Sequence, residues 1–314
     1  MFGVKGRSLQ RHYREFTSDF KAWKHVSHAE EYLLFPLNLS SQLSLDEVAL
    51  SQGELYTVLT NKKAKGRKGS IVAIIKGIKS ENIIKHLTKL PLHLRRKVKE
   101  ITLDMASNIK LIAESCFTKA TIVIDRFHVQ QLSLEATQNI RIKHRWEAID
   151  QENEKIASCR KTGESYIPNT YKNRDTHKQL LARSRYLLYK NPENWSDSQK
   201  QRAEILFREY PDIKRAYNLN QQLRSIYNSS SSKAVAMTKL AHCYKEVEES
   251  GFKQFNTVMN TFTNHYRDIL NYFENRSTNA SAESFNAKIK AFRAQFRGVR
   301  NVKFFLYRLT QINA

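Results

Sequence analysis

The chain has 314 residues, 40% hydrophobic and 11% aromatic, a density that excludes a disordered polypeptide and supplies core for one large or two ordinary domains. With 53 Lys and Arg against 30 Asp and Glu, the net charge is +23, so the expected partner is a polyanion, nucleic acid before membrane. Cys116, Cys159 and Cys243 are too few and too far apart for a disulfide scaffold, a zinc site or a CxxC redox pair, and only 9 Gly with 5 Pro favour long helices.

The opening residues, Met1 to Arg7, contain no apolar run of signal-peptide type, and no stretch approaches the roughly 18 apolar residues that would span a bilayer. A cytoplasmic, nucleoid-associated protein is expected. Residues 5–33 are basic and amphipathic, and Pro36 with the polar run 38–42 breaks the pattern, which predicts a basic, helical N-terminal segment over 1–42. From Leu43 the texture changes to short β runs at 44–50, 54–60 and 71–78, an antiparallel meander. Helical spacing over 81–97 leads to a strand at 100–103 ending at Asp104. A helix over 109–116 then leads to a strand at 120–124 ending at Asp125. The order βββαβαβ predicts a mixed α/β sheet with flanking helices, parallel where the crossovers fall.

Beyond His128 the pattern is helical for some 150 residues. Ser196 to Gln199 has capping-box spacing, Pro211 opens another helical run, and the polar stretch 228–232 reads as a linker. The organisation expected is a core over 43–128, an all-helical insertion over 129–274, and C-terminal helices over 275–314 that complete the core. Trp146 and Trp195 can stack on an unpaired base, but a tryptophan is chiefly a large buried hydrophobe and core packing is the expectation for both.

Three carboxylates stand out by position: Asp46 within the first strand of the meander, Asp104 at the end of the fourth, and Glu283 on a helix near the C-terminus. Carboxylates that converge from a rigid sheet can hold two Mg²⁺ ions, which activate an attacking oxygen and stabilise a leaving one. On the helix, Glu283, Asn286, Lys290, Arg293 and Arg297 fall within about 80° of one another, with Phe285, Ile289, Phe292 and Phe296 opposite. Cations beside a candidate metal ligand suit a site that holds a phosphate backbone. Lys62, Lys63, Lys65, Arg67 and Lys68 crowd the turn between the second and third strands as a further DNA-contact candidate, and residues 275–314 carry eight Lys and Arg against one acid. Glu47, next to Asp46, should point to the other sheet face.

The order of a meander with Asp46, a strand with Asp104, Asp125-Arg126-Phe127-His128, a long helical stretch, and Ser277 to Lys290 (STNASAESFNAKIK) resembles the DDE transposases of bacterial insertion sequences. The similarity is to the ISL-three group, in particular its split, Bacteroidetes-type members, and covers about residues 43–310. It implies an RNase H-like catalytic core interrupted by a helical insertion, with Asp46, Asp104 and Glu283 as the metal-binding triad for two Mg²⁺ (or Mn²⁺) ions. It also implies that Asp125 and His128 are the D-x-x-H pair of related groups, here supporting residues together with Asn286. Asp125 competes with Asp104 as the second ligand. The activity implied is hydrolysis at element ends and transfer of the 3′-OH into target DNA, by a homodimer or higher oligomer on DNA. Other readings are a catalytically inactive DNA-binding regulator and an RNase H-fold nuclease. Only 45 cysteine-free residues precede Asp46, so end recognition is expected from a separately encoded DNA-recognition protein, as in split relatives.

Overall fold

The computed structural model describes residues 6–51, 53–295 and 299–314. The chain divides into two compact units, one made of residues up to Asp125 together with Asn275–Ala314, the other of Arg126–Glu274. No helix among the described residues is long and apolar enough to cross a membrane.

The first unit is built on a six-stranded mixed sheet. Its strands are β1 (Tyr32–Leu34), β2 (Gln42–Ser51), β3 (Glu54–Asn61), β4 (Ile71–Lys76), β5 (Glu100–Leu103) and β6 (Thr121–Ile124), in the spatial order β1-β4-β3-β2-β5-β6. β2, β3 and β4 form the expected antiparallel meander, while β5 pairs parallel with β2 and β6 parallel with β5. Setting β1 aside, the order third, second, first, fourth, fifth is that of an RNase H-like sheet. β1 has no counterpart in the sequence reading. It is three residues long, too short to show a period of two, and it exists because Tyr32 to Leu34 pair antiparallel with Ile75 to Ala73 at the edge.

Helices α2 (Ser80–Leu87), α3 (Leu92–Arg95) and α4 (Ser107–Cys116) fill the crossovers. The single helix expected over 81–97 is two, because Pro91 disfavours helical backbone at Leu90 and offers no N–H. α2 and α4 bury Ile83, Leu87, Ile109 and Ile112. On the face carrying Val48, Val58 and Ile74 lie α11 (Ala280–Gln295) and α12 (Val302–Asn313), whose Phe285, Ile289, Phe304, Phe305 and Leu306 join those strand residues in one hydrophobic cluster. Burying a residue of this kind contributes roughly 1.5–3 kcal/mol, so the C-terminal helices are integral to the sheet's core.

The N-terminal segment is helical only as far as Thr17, in α1 (Gly6–His12) and a following π turn, and then runs in tight turns to β1. It is anchored by Trp23, whose ring lies 5.4 Å from that of Tyr307. His25 packs among Trp23, His28 and Phe35, with Nε2 buried and without a partner.

The second unit is helical: α5 (Arg126–Thr162), α6 (His177–Arg183), α7 (Asp197–Glu209), α8 (Pro211–Ser229), α9 (Lys233–Ser250) and α10 (Asn256–Asn275), the last ending one residue into the first unit. Ser196 and Gln199 close the capping box at the start of α7, Pro211 occupies the first turn of α8, and the stretch 228–232 holds the break between α8 and α9, as their spacing predicts. α5 and α8 are joined through a buried polar clasp in which the Asn220 amide bonds the hydroxyls of both Ser133 and Thr137. Trp195 is half-buried against Phe207 and Tyr217 and donates from Nε1 to the Leu187 carbonyl at 2.8 Å. Trp146 is 59% exposed, so the core position expected for it is wrong. Indole size favours burial, but Trp146 falls on an outward stripe of α5.

Burial, then the charges of Lys24 and His28, lower the His25 pKa from 6.5 to about 4. The unfolded chain therefore binds the extra proton first as pH falls, and stability present above pH 6.5 is lost progressively toward pH 4. Between pH 7.5 and 5 this loss should reach about 1–2 kcal/mol. Thermal melts of the wild type and of His25→Phe at the two pH values check it, with a smaller drop expected in the variant.

Candidate active site

The parallel half of the sheet lines up three aspartates. The sheet register pairs Ser44 with Thr102 and Leu103 with Ile124. Carried on by two residues and by one, it sets Asp46 on β2 level with Asp104 and Asp125, which lie one residue beyond the ends of β5 and β6, at about 4.8 Å per strand step. In-register residues of a parallel sheet share a face, so the three side chains rise on the same side.

α11 crosses that side. At its start the Asn279 backbone N–H donates to Asp125 Oδ2 at 2.8 Å, and seven residues later Asn286 Nδ2 donates to Asp46 Oδ2 at 2.7 Å. Seven helical residues rise about 10.5 Å, which matches the two-strand step of about 10 Å from β6 to β2. Asn279, Glu283 and Asn286 lie on one stripe of the helix, and Glu283 falls between the two anchors. Glu283 is exposed, Asp46 and Asp104 are half-buried and Asp125 is buried. Register thus levels the three aspartates, and α11 is tied to the two outer ones.

Their side chains are tied to neighbouring donors. Asp46 Oδ1 accepts from the Glu47 N–H at 2.8 Å, and Asp104 Oδ1 accepts from the Ala106 N–H at 2.9 Å, turning the chain into α4. Among the described residues no group of three or more His, Cys, Asp or Glu side chains is close enough to enclose a metal ion. Glu47 lies on the opposite face, as strand alternation predicts, where Asn108 of α4 donates to it at 3.3 Å. Burial raises the Glu47 pKa against that hydrogen bond, and repulsion from Asp104 and Asp46 adds to the rise. Negative charge is therefore concentrated at this end of the sheet, and the donors are all carboxylate oxygens. Such a set suits a hard divalent cation.

The basic residues divide differently from the sequence reading. Lys62 turns inward: its Nζ donates to Thr102 Oγ1 at 2.6 Å and lies 3.4 Å from Glu100 Oε1, with only 11% of the side chain exposed. It is a buried structural cation and not a surface contact, because two buried acceptors on β5 outweigh its solvation. Lys63, Lys65, Arg67 and Lys68 are exposed on the same turn. That turn is joined to α11 by Lys288, whose Nζ donates to the Gly66 carbonyl at 2.8 Å. Gly66 is needed there, since its φ is +72° and an added Cβ would sit 3.1 Å from Lys288 Nζ. Lys290 is exposed, while Arg293 is half-buried and leans on the Ala49 and Leu50 carbonyls of β2 at 3.4 and 3.5 Å. Arg297 lies outside the described residues. His128 falls in the first turn of α5, in the helical unit, with Nε2 buried and without a partner.

Sequence reasoning missed Asn279, Asn108 and Lys288. Asn279 alone had an accessible signal, its position four residues before Glu283 on the same helical stripe; the others act through folds of the chain that no periodicity reports.

A family model described as transposase, of the DDE type and the ISL-three group, matches residues 43–309. The chain belongs to that family. It is also 23% identical over 268 residues to the transposase for insertion sequence element IS1001 of Bordetella parapertussis, a match that takes in 85% of this chain and 59% of the relative. The chain therefore spans under two thirds of that relative's length. Within the transposase family frame, the carboxylate row under α11 is the candidate active site.

Asp125 and Asp104 differ in what they hold. Asp125→Ala would strip the Asn279 N–H of its buried acceptor and should destabilise the sheet unit by about 1–3 kcal/mol, whereas Asp104→Asn keeps an oxygen for Ala106 and should leave stability nearly unchanged. Urea denaturation followed by near-ultraviolet circular dichroism of the full chain distinguishes the two.

Proposed function

We propose that this chain is a DNA transposase that uses divalent metal to hydrolyse the phosphodiester at the ends of its element and to join the released 3′-OH to target DNA. The observation that supports this reading is the spacing just described: α11 is tied by Asn279 and Asn286 to Asp125 and Asp46 of the in-register row, with Glu283 between those two anchors on the helix. Asp46, Asp104 and Glu283 are the residues that would hold the ions. When bound, Mg²⁺ or Mn²⁺ would activate the attacking oxygen and stabilise the leaving one.

The remaining roles follow from the chain's own groups. Asn286 donates to Asp46 Oδ2, which fixes the orientation of that carboxylate. Asp125 is buried with Oδ2 engaged by the Asn279 N–H, and this favours Asp104 as the second ligand and a fastening role for Asp125. Lys63, Lys65, Arg67 and Lys68 on the turn, and Lys290 on α11, would hold backbone phosphates, a sequence-independent contribution that weakens steeply with salt. Assembly as a homodimer or larger oligomer on DNA belongs to this reading. So does recognition of element ends by a further segment or a separately encoded protein, which the extra length of the IS1001 relative supports.

Glu283→Gln should lower single-turnover cleavage and joining by roughly 10³-fold or more, about 4 kcal/mol of barrier, while nonspecific DNA affinity stays within about twofold because the exposed cations are untouched. Asp46→Asn and Asp104→Asn should behave alike. Gel assays on element-end DNA with Mg²⁺, beside fluorescence anisotropy for binding, measure both. Full cleavage by the Glu283→Gln protein would overturn the assignment.

A further inference from the structure

Beneath the candidate site lies a buried charged chain that the reaction itself does not use. Glu100 is 4% exposed and has its two oxygens engaged by different parts of the chain: Oε1 is 3.4 Å from Lys62 Nζ and Oε2 accepts from Asn275 Nδ2 at 3.2 Å. Asn275 is where the polypeptide re-enters the sheet unit, and five residues later α11 begins. Between them Arg276 adopts a left-handed φ of +50° and Asn279 is fully buried, fastened through its N–H to Asp125. Lys62 also acts on Asp125 electrostatically, so one ammonium group balances the two carboxylates that hold this segment.

We propose that Lys62 is a positioning residue for the transposase reaction: by holding Glu100 it anchors residues 275–279 and so sets where α11 carries Glu283 above Asp104. The proposal rests on the function argued above. The structural reasoning is that a buried carboxylate without its countercharge is strongly unfavourable. Removing the Lys62 charge forces Glu100 toward solvent, takes the acceptor from Asn275 and frees the start of α11. A shift of about 1 Å in one member of a catalytic group is enough to cost about 10²-fold in rate. A lysine that touched phosphate would behave otherwise, since its loss weakens DNA binding and lowers the salt slope by about 0.9.

The experiment uses the full chain carrying Lys62→Met and the pair Lys62→Met with Glu100→Gln, in which glutamine keeps an oxygen for Asn275 without a buried charge. Hydrogen exchange should show the amides of residues 279–284 opening at least tenfold faster in Lys62→Met, with β2 and β3 unchanged, and returning toward wild type in the pair. Single-turnover cleavage at saturating DNA should fall at least tenfold in Lys62→Met and recover in the pair, with the salt slope of DNA binding constant throughout. A salt slope lower by about one, with cleavage restored at saturating DNA, would overturn the proposal in favour of a phosphate contact. Unchanged exchange at 279–284 would also overturn it, as would a pair no better than the single variant. If Lys62→Met does not fold, the pair against wild type still decides, since it should fold and cleave. Exchange changes as expected in a wild-type chain that cleaves no DNA would instead reject the transposase reading and leave the anchor standing.

Discussion

The parallel pairing of β2, β5 and β6 is the constraint on which the rest of the candidate site depends. Gln42 opposite Glu100 and Glu100 opposite Thr121 fix the register, and everything at the far ends of these strands inherits it. A slip of one residue in either pair would turn an aspartate to the opposite face. The register is held from both sides: Leu43, Leu45, Ile101 and Leu103 are buried, and on alternate positions Ser44 and Thr102 are buried and hydrogen-bonded, Ser44 Oγ donating to the Thr102 carbonyl at 3.3 Å. The polar row is thus supported by buried apolar neighbours that cannot shift independently.

α11 spans that row from Asp125 to Asp46 because helix rise and strand spacing are commensurate over its first turns. Its apolar stripe, Phe285 and Ile289, is buried with α12 in the sheet core, which sets the rotation of the helix about its axis. Asn279 and Asn286 set its position along the strands, and Glu283, on the same stripe, stays exposed, as does Lys290. Packing therefore decides orientation while polar contacts decide placement, a division that lets Glu283 remain exposed without loosening the helix.

The same geometry explains how a sheet unit tolerates a long interruption. The chain leaves after Asp125 and returns at Asn275, and Asp125 is bonded directly to Asn279, so the two ends of the 126–274 unit are pinned side by side. Closing such an excursion costs entropy that grows only logarithmically with its length. Glu100 and Asp125 reinforce the junction from adjacent strands, and the sheet unit remains continuous around it. The carboxylates of the row differ in setting: the buried Asp125 holds the chain through Asn279, while Asp46 and Asp104 are half-buried.

Much of this was legible in the linear pattern. Alternation marked β2, β3 and β4, strand ends announced Asp104 and Asp125, capping residues marked α7 and α8, and the stripe of Glu283 with Asn286 emerged from helical periodicity. These are local consequences of side-chain periods and of backbone preferences at Ser, Pro and Gly, which is why a sequence alone determines them, together with the strong positive charge. Tertiary structure decided what depends on distant segments meeting. It turned Lys62 from a surface cation into a buried partner of Glu100, left Trp146 in solvent, added β1 as an edge strand, and gave Asp125 a backbone amide to hold. Charge and hydrophobicity state what a side chain prefers. Only the fold states which acceptor or neighbour reaches it, because that requires residues as far apart as Lys62, Glu100 and Asn275 to arrive at one point.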